Sequence, residues 1–378
     1  VTTERGAPCL AQALIEVPRH AFVPPRAWAA ASAAGPARWI DREKDADGWW
    51  RAVSSSAAIY TQLDDGRTEL TEGNAALTRA PTSSSTSPPL VVAFLRRLDP
   101  RPGDHVLEIG TGTGWTAGLL SVLVGGSGRV TTVEIDPALA REAASSLATA
   151  GHAPGIVVGD GAHGVPAEAP FDRVHVTCGV SELPYAWVEQ CRPGGVIVVP
   201  HAGTGRLLRL TAHGDGTASG HFHEPCSFML LRDQRRPVER IARTPERVRA
   251  PSGDPDALAH APPGLQVLLS EAVGDIPFPA GESVLLTVGT SHAVVTDGRV
   301  TQTGPRDLWD EAEAVHRWWQ RLGRPGAERI GYTVTRDDQY VWLDDPTRPV
   351  SRPAGLAPGP GAERGRVAEP ERGMTKRR

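Results

Sequence analysis

Apolar positions in the middle of the chain fall into short runs closed by glycine or an acid. "HVLEIG" (105–110) is one such run, and "RVTTVE" (129–134), "GIVVGD" (155–160), "DRVHVTC" (172–178) and "GGVIVVP" (194–200) follow it. Each has the length and continuous apolarity of a buried parallel strand. Between the first two, "WTAGLLSVLVG" reads as a helix. Asp136 and Pro137 supply an N-cap and a first-turn proline for "ALAREAASSLATA", which Gly151 ends. "RLLRLTAHGDGTASGHFHE" then alternates and turns at Asp215–Gly216, as a hairpin does. The pattern predicts an α/β fold: a doubly wound Rossmann-like sheet with a C-terminal antiparallel hairpin, and ligands at the carboxyl ends of its strands.

Outside this stretch the pattern is weaker. Residues 1–80 read as an N-terminal helical, substrate-side region, with helical stretches around Pro18 and Trp28. "SSSTSPPLVV" (83–92) carries neither a helical nor a strand period, so it reads as either a flexible joint or the rim of a site. Residues 81–232 form the core and 233–346 a smaller α+β extension. Within the extension, "SVLLTVGTSHAVVTDGRVTQTG" predicts strands turning at Asp297–Gly298. Pro305 opens and Gly323 closes a helix with Trp309, Ala312, His316, Trp319 and Leu322 near one face. Residues 347–378, rich in Pro, Gly and Arg, read as a disordered tail.

Charge and composition narrow the class. The net charge of −4 supplies no global field to recruit nucleic acid, and no apolar run approaches a bilayer-spanning length. The four cysteines lack CxxC spacing and read as reduced thiols, so the expected compartment is the cytoplasm. Lysine occurs only at Lys44 and Lys376 while Arg, Ala, Gly and Pro abound, and the opening Val1 reads as a GTG start codon translated literally.

The chemistry concentrates in "VLEIGTGTGW". Gly110, Gly112 and Gly114 directly follow a strand, where glycine lets the backbone approach a ligand and adopt φ > 0. Gly112-x-Gly114-x-x-Ala117 also satisfies the dinucleotide pattern, so the loop alone leaves the nucleotide cofactor open. Glu134 ends the next strand, 24 residues after Gly110, where an acid can accept from both ribose hydroxyls. Asp160 ends the third strand in "GDG", placed for an adenine amino group, with Gly161 leaving room for the ring. One such acid caps a loop in many proteins. Three glycines and two acids on consecutive strand ends point to a nucleoside cofactor.

Glu108-x-Gly-x-Gly-x-Gly, the strand-end Glu134, "GDG", "PFDRVHVTCG" and "RPGGVIVVP" together resemble the class I S-adenosylmethionine-dependent methyltransferases. "VPRHAFVPP" (17–25), "VVGDGAHGVPAEAPFDRVHVTCGVSELP" and "CRPGGVIVVP" narrow the resemblance to the protein-L-isoaspartate O-methyltransferase family, over roughly residues 12–30 and 82–232. That family carries a Ser-x-Pro element ahead of the glycine strand. The resemblance therefore implies Ser87 as the catalytic serine and Ser85, Thr86 and Pro89 as the substrate side. It implies S-adenosylmethionine as cofactor, held by Glu108, Gly110, Thr111, Gly112, Gly114, Glu134, Ile135, Asp160, Gly161 and Thr177. No metal is implied.

The implied reaction is carboxyl O-methylation of an L-isoaspartyl or aspartyl residue in a protein or peptide, the ester then closing to a succinimide. A carboxylate is ionised at neutral pH and needs no general base; Ser87 would orient it by donating to one oxygen. No His and acid flank Ser87 in sequence, so a hydrolase triad is unsupported. Three departures stand out: an expanded Trp39–Leu70 segment, the long C-terminal extension, and "SFMLLR" (227–232) where the family has a closing strand. The extended architecture resembles methyltransferases of lanthipeptide and ATP-grasp peptide maturation, which implies a specific precursor and a peptide-modifying partner enzyme. A methyltransferase for RNA or a small molecule and a silent peptide-docking module are the alternatives. His221-x-His223-x-x-Cys226 lacks a fourth ligand at usual spacing and reads as the end of a hairpin. Asp64–Asp65 and Asp344–Asp345 read as solvated turns, and the Trp49–Trp50 and Trp318–Trp319 pairs as one core residue with one at an interface.

Overall fold

The structure, a computed structural model, describes residues 9–33, 35–77, 81–235 and 244–350. It divides into one unit of Val1–Arg235 with Glu328–Pro349 and a second within Arg236–Ala327. The first unit opens with α1 (Leu10–Glu16), β1 (Arg26–Ala29), β2 (Arg38–Asp41), α2 (Ala46–Val53), β3 (Ile59–Leu63), α3 (Glu72–Leu77) and β4 (Pro81–Ser85). Its four strands form an antiparallel sheet in the order β2-β1-β3-β4. The leading region is thus mixed rather than helical: Trp28 lies on β1, paired with Trp39 and Tyr60. Alternation in "RAWA" buries Ala27 and Ala29 against Ile40, Trp49 and Ile59, and a four-residue run is too short for that period to stand out from helix in sequence.

The serine stretch is not a joint. Ser83, Ser84 and Ser85 pair with β3, Ser83 and Ser85 are buried, and Ser87 is the N-cap residue of α4 (Pro88–Leu98). Low apolarity hid a strand whose inward side chains are hydroxyls satisfied by tertiary partners.

The core then runs β5 (His105–Ile109), α5 (Trp115–Val124), β6 (Arg129–Glu134), α6 (Pro137–Thr149), β7 (Gly155–Val158), β8 (Phe171–Val176), α7 (Tyr185–Glu189), β9 (Cys191–His201), β10 (Arg206–Ala212) and β11 (Ala218–Pro225). All five expected parallel strands and the hairpin at Asp215–Gly216 are present. α5 is apolar on every side, with Trp115, Ala117, Leu119, Leu120 and Leu123 buried. Such a helix must be covered twice. The core cluster it joins includes Val106 and Val130 from the sheet and Ala13, Val17 and Phe22 from the N-terminal segment.

The second unit holds β12 (Arg247–Arg249), α8 (Pro255–Ala259), α9 (Pro263–Val273), β13 (Phe278–Ala280), β14 (Ser283–Val288), β15 (Ser291–Thr296), β16 (Arg299–Thr303) and α10 (Leu308–Arg321). Its sheet runs β12-β16-β15-β14-β13, with the turn at Asp297–Gly298 in positive φ as expected. The buried face of α10 is Leu308, Trp309, Ala312, Val315 and Trp318, so the expected face is rotated: His316 and Trp319 are only partly buried.

The extension does not stay in one piece. β17 (Ile330–Val334) and β18 (Gln339–Leu343) return to the first unit and complete a nine-stranded sheet, β18-β17-β11-β10-β9-β8-β5-β6-β7. Gly331 permits β17 and β18 to pair, because a Cβ there would lie 2.0 Å from the Trp342 ring. The Gln339 side chain bonds the Leu183 N–H and carbonyl at 3.0 and 2.7 Å. The expected tail beyond residue 350 lies outside the described residues.

Candidate active site

The carboxyl end of β5 turns into α5 through Gly110, Gly112 and Gly114, whose φ angles of 93°, 53° and 86° favour glycine. A Cβ on Gly110 would stand 2.5 Å from the Thr177 hydroxyl, which donates to the Ile109 and Gly110 carbonyls at 2.9 and 2.6 Å. Thr177, at the end of β8, thereby clamps the loop from the neighbouring strand.

Glu134 ends β6 beside this loop. Its carboxylate accepts the Gly112 N–H at 2.9 Å and the Asp136 N–H at 3.0 Å. Burial pushes its carboxyl above the usual range, against the pull of these N–H groups. Ile135 follows it, half-buried. Asp136 caps α6 and takes the Gln62 amide at 2.7 Å, so β3 is tied to the same rim. Asp160 lies two residues past β7 and caps the turn that follows through the Ala162 N–H at 2.9 Å. Gly161 is packed so tightly that a Cβ would meet Ile109 at 2.5 Å, and its carbonyl accepts from the Trp187 indole at 2.8 Å.

Glu108 is fully buried beneath the loop. One carboxylate oxygen accepts the Thr132 hydroxyl at 2.7 Å, and Thr132 meets the Thr111 hydroxyl at the same distance. The other oxygen has no hydrogen-bond partner among the described residues. Glycine cradles at positive φ, strand-end carboxylates and a buried acid with an open oxygen fit a nucleoside cofactor bearing an ammonium group.

Across the loop runs β4. Gly112 lies under it, a Cβ there being 3.7 Å from the Ser84 carbonyl. Ser87 is half-buried, and its hydroxyl does not cap α4. Thr86 lines a small recess with Phe94, Thr116, His175, Thr177 and Phe228, and Pro89 is exposed. Ser85 differs from its expected place on the substrate side: it is 1% exposed, and its hydroxyl and carbonyl are both taken by Arg19. It braces the strand.

Several participants escaped the sequence reading. Arg19 lies within "VPRHAF", where nothing local signals its partners. His175 lies within "DRVHVTC", where it reads as one more strand residue. Asp65 is not a solvated turn: it meets Arg232 at 3.1 Å and Arg235 at 2.6 Å. Asp344 does lie in an exposed turn, where it pairs with Arg329 at 2.6 Å. Trp49 is core while Trp50 is 38% exposed. Cys178 follows β8, and burial pushes its thiol up to about 12, which favours the neutral form. On β11, burial lowers His223 to about 4, and His221 packs edge-on against Trp342.

Residues 73–236 match the family model described as Protein-L-isoaspartate(D-aspartate) O-methyltransferase (PCMT). The chain is 32% identical over 228 residues to a protein-L-isoaspartate O-methyltransferase of Methanopyrus kandleri, covering 59% of this chain and 82% of that protein. A Pyrococcus horikoshii protein of the same name is 38% identical over 159 residues, 40% of this chain and 70% of that protein. A solved structure titled protein-L-isoaspartate O-methyltransferase superposes with a TM-score of 0.51 at 21% identity, covering 89% of this chain and 95% of that one. The chain belongs to the protein-L-isoaspartate O-methyltransferase family.

Proposed function

We propose that this chain transfers the methyl group of S-adenosylmethionine to the side-chain carboxylate of an L-isoaspartyl or aspartyl residue in a polypeptide. The observation that carries the reading is the juxtaposition of β4 and the glycine loop: Ser83 and Ser84 lie against Gly112, and Ser87 follows at the mouth of α4. Glu108, Gly110, Thr111, Gly112 and Gly114 would hold the methionine end of the cofactor. Glu134 and Ile135 would take the ribose, and Asp160 and Gly161 the adenine, with Thr177 fixing the loop.

When bound, the cofactor supplies an electrophilic methyl on a sulfonium. The protein's share is positioning and exclusion of water, because the acceptor carboxylate is already ionised and needs no base. Ser87 donates its hydroxyl proton as a hydrogen bond to one acceptor oxygen and leaves the other to attack. Thr86 and Pro89 border that position. The ester formed is a leaving-group site for the following backbone nitrogen, which closes the succinimide.

The narrower reading is a dedicated precursor peptide presented by a partner modifying enzyme, and the four free cysteines suit a cytoplasmic setting for either. Among the described residues, no helix is long and apolar enough to cross a membrane. With labelled cofactor, the expected product is a base-labile methyl ester on an isoaspartyl peptide. Base-stable label, or label found on RNA, would contradict the reading. Competition between an isoaspartyl peptide and a candidate precursor separates general from dedicated substrates.

A further inference from the structure

The proposed reaction leaves one buried group unused. His175 of β8 and Glu108 of β5 are paired neighbours on adjacent parallel strands, 2% and 0% exposed. The His175 Nδ1 lies 3.6 Å from the Glu108 Oε1, a small ring rotation short of a hydrogen bond. Neither ring nitrogen, nor that carboxylate oxygen, has a hydrogen-bond partner among the described residues. Unsatisfied polar atoms are rare in folded interiors and call for an explanation, and here three lie together. The His175 ring is edge-on to Phe94 at 5.8 Å and lines the recess that Thr86, Thr177 and Phe228 also border.

We infer that His175 is a positioning residue that sets the orientation of Glu108 toward the methionine end of the cofactor. A carboxylate beside Nδ1 selects the tautomer that carries its proton there. In the inferred arrangement the ring turns to bring the Nδ1–H onto Oε1, while Thr132 already holds Oε2 from the opposite strand. Pinned on both sides, Glu108 keeps its remaining lone pairs aimed at a cationic ligand. Without His175, one side of the carboxylate is unrestrained. The inference rests on the proposed cofactor reading.

The test is S-adenosylhomocysteine binding by calorimetry on the full chain, with three variants. An asparagine amide can replace Nδ1, whereas a glutamine amide reaches the Nε2 position. His175→Asn is expected to bind within about threefold of the unchanged protein, and His175→Gln and His175→Phe about tenfold more weakly, the scale of a hydrogen bond to a charged group. A purely packing role predicts the reverse, since phenylalanine stacks as well beside Phe94. Equal binding by His175→Phe, or rescue by His175→Gln instead of His175→Asn, overturns the inference. Should His175→Phe fail to fold, the Asn and Gln pair decides alone. Failure of the unchanged protein to bind S-adenosylhomocysteine sinks the cofactor reading itself, and with it this inference.

Discussion

The guanidinium of Arg19 donates to both the hydroxyl and the carbonyl of Ser85, at 3.0 and 2.8 Å. Its other N–H groups reach the Val53 and Ala57 carbonyls at 3.0 and 2.8 Å, and its face lies over the Trp115 ring. One buried cation thus fastens the end of α2, the loop leading into β3, and β4 two residues ahead of Ser87. Burial pushes Arg19 down to about 10, which leaves it charged at neutral pH. Lysine offers a point charge in place of a planar fork and cannot serve these acceptors together. Arg19→Lys should therefore cost about 2 kcal/mol in urea unfolding followed by tryptophan fluorescence, and should lower kcat more than it raises KM. An unchanged unfolding midpoint would show that the carbonyls find other partners.

Gly110 offers a sharper steric test. Its φ of 93° and the 2.5 Å gap to the Thr177 hydroxyl leave no room for a methyl group. Gly110→Ala is expected to weaken S-adenosylhomocysteine binding at least tenfold, while far-ultraviolet circular dichroism stays that of the unchanged protein. Binding within twofold would remove the glycine loop from the cofactor site.

Glu134 predicts a pH dependence. In the proposed ribose contact the carboxylate is a stronger acceptor than the acid, so affinity is full above its folded pKa and falls as pH drops through it. Because burial raises that pKa, the loss should begin at a higher pH than for an ordinary carboxylate. Calorimetric titrations across the acidic range should show it, and Glu134→Gln should bind weakly with a flatter profile. A profile in the unchanged protein that stays level through the acidic range contradicts this assignment.

A second pH effect concerns stability. His201 is 2% exposed, with Phe222 and Tyr332 rings at 5.6 and 5.3 Å, and burial lowers it from 6.5 to about 4. Below 6.5 the unfolded chain binds the proton first. Stability is therefore complete above that pH and is lost as pH falls toward about 4. The urea midpoint should drop across this window, and His201→Phe should shrink the drop. His223, similarly lowered, retains part of it.

The middle of the chain was legible because its signals are local. A strand ending in glycine, an Asp-Pro cap and a Gly stop each declare themselves within a few residues, and β5 through β11 follow them. The remainder depends on distant partners. β4 has serines where a strand would show apolar residues, and its burial is explained by Arg19, 66 positions away. β17 joins β11 more than a hundred residues downstream, and nothing near Ile330 announces it. In the candidate site, the placement of the glycines after β5 and of Glu134 and Asp160 after β6 and β7 was readable from spacing. Ser85 was not, because only the fold shows that its hydroxyl is already taken.

The central claim is that Ser87 orients an acceptor carboxylate for methylation. Single-turnover transfer from labelled S-adenosylmethionine to an isoaspartyl peptide, compared between the unchanged protein and Ser87→Ala, tests it most directly. The account predicts a base-labile ester formed at least tenfold more slowly by Ser87→Ala, with S-adenosylhomocysteine affinity unchanged. Equal rates for the two proteins, or no ester from either, would contradict it.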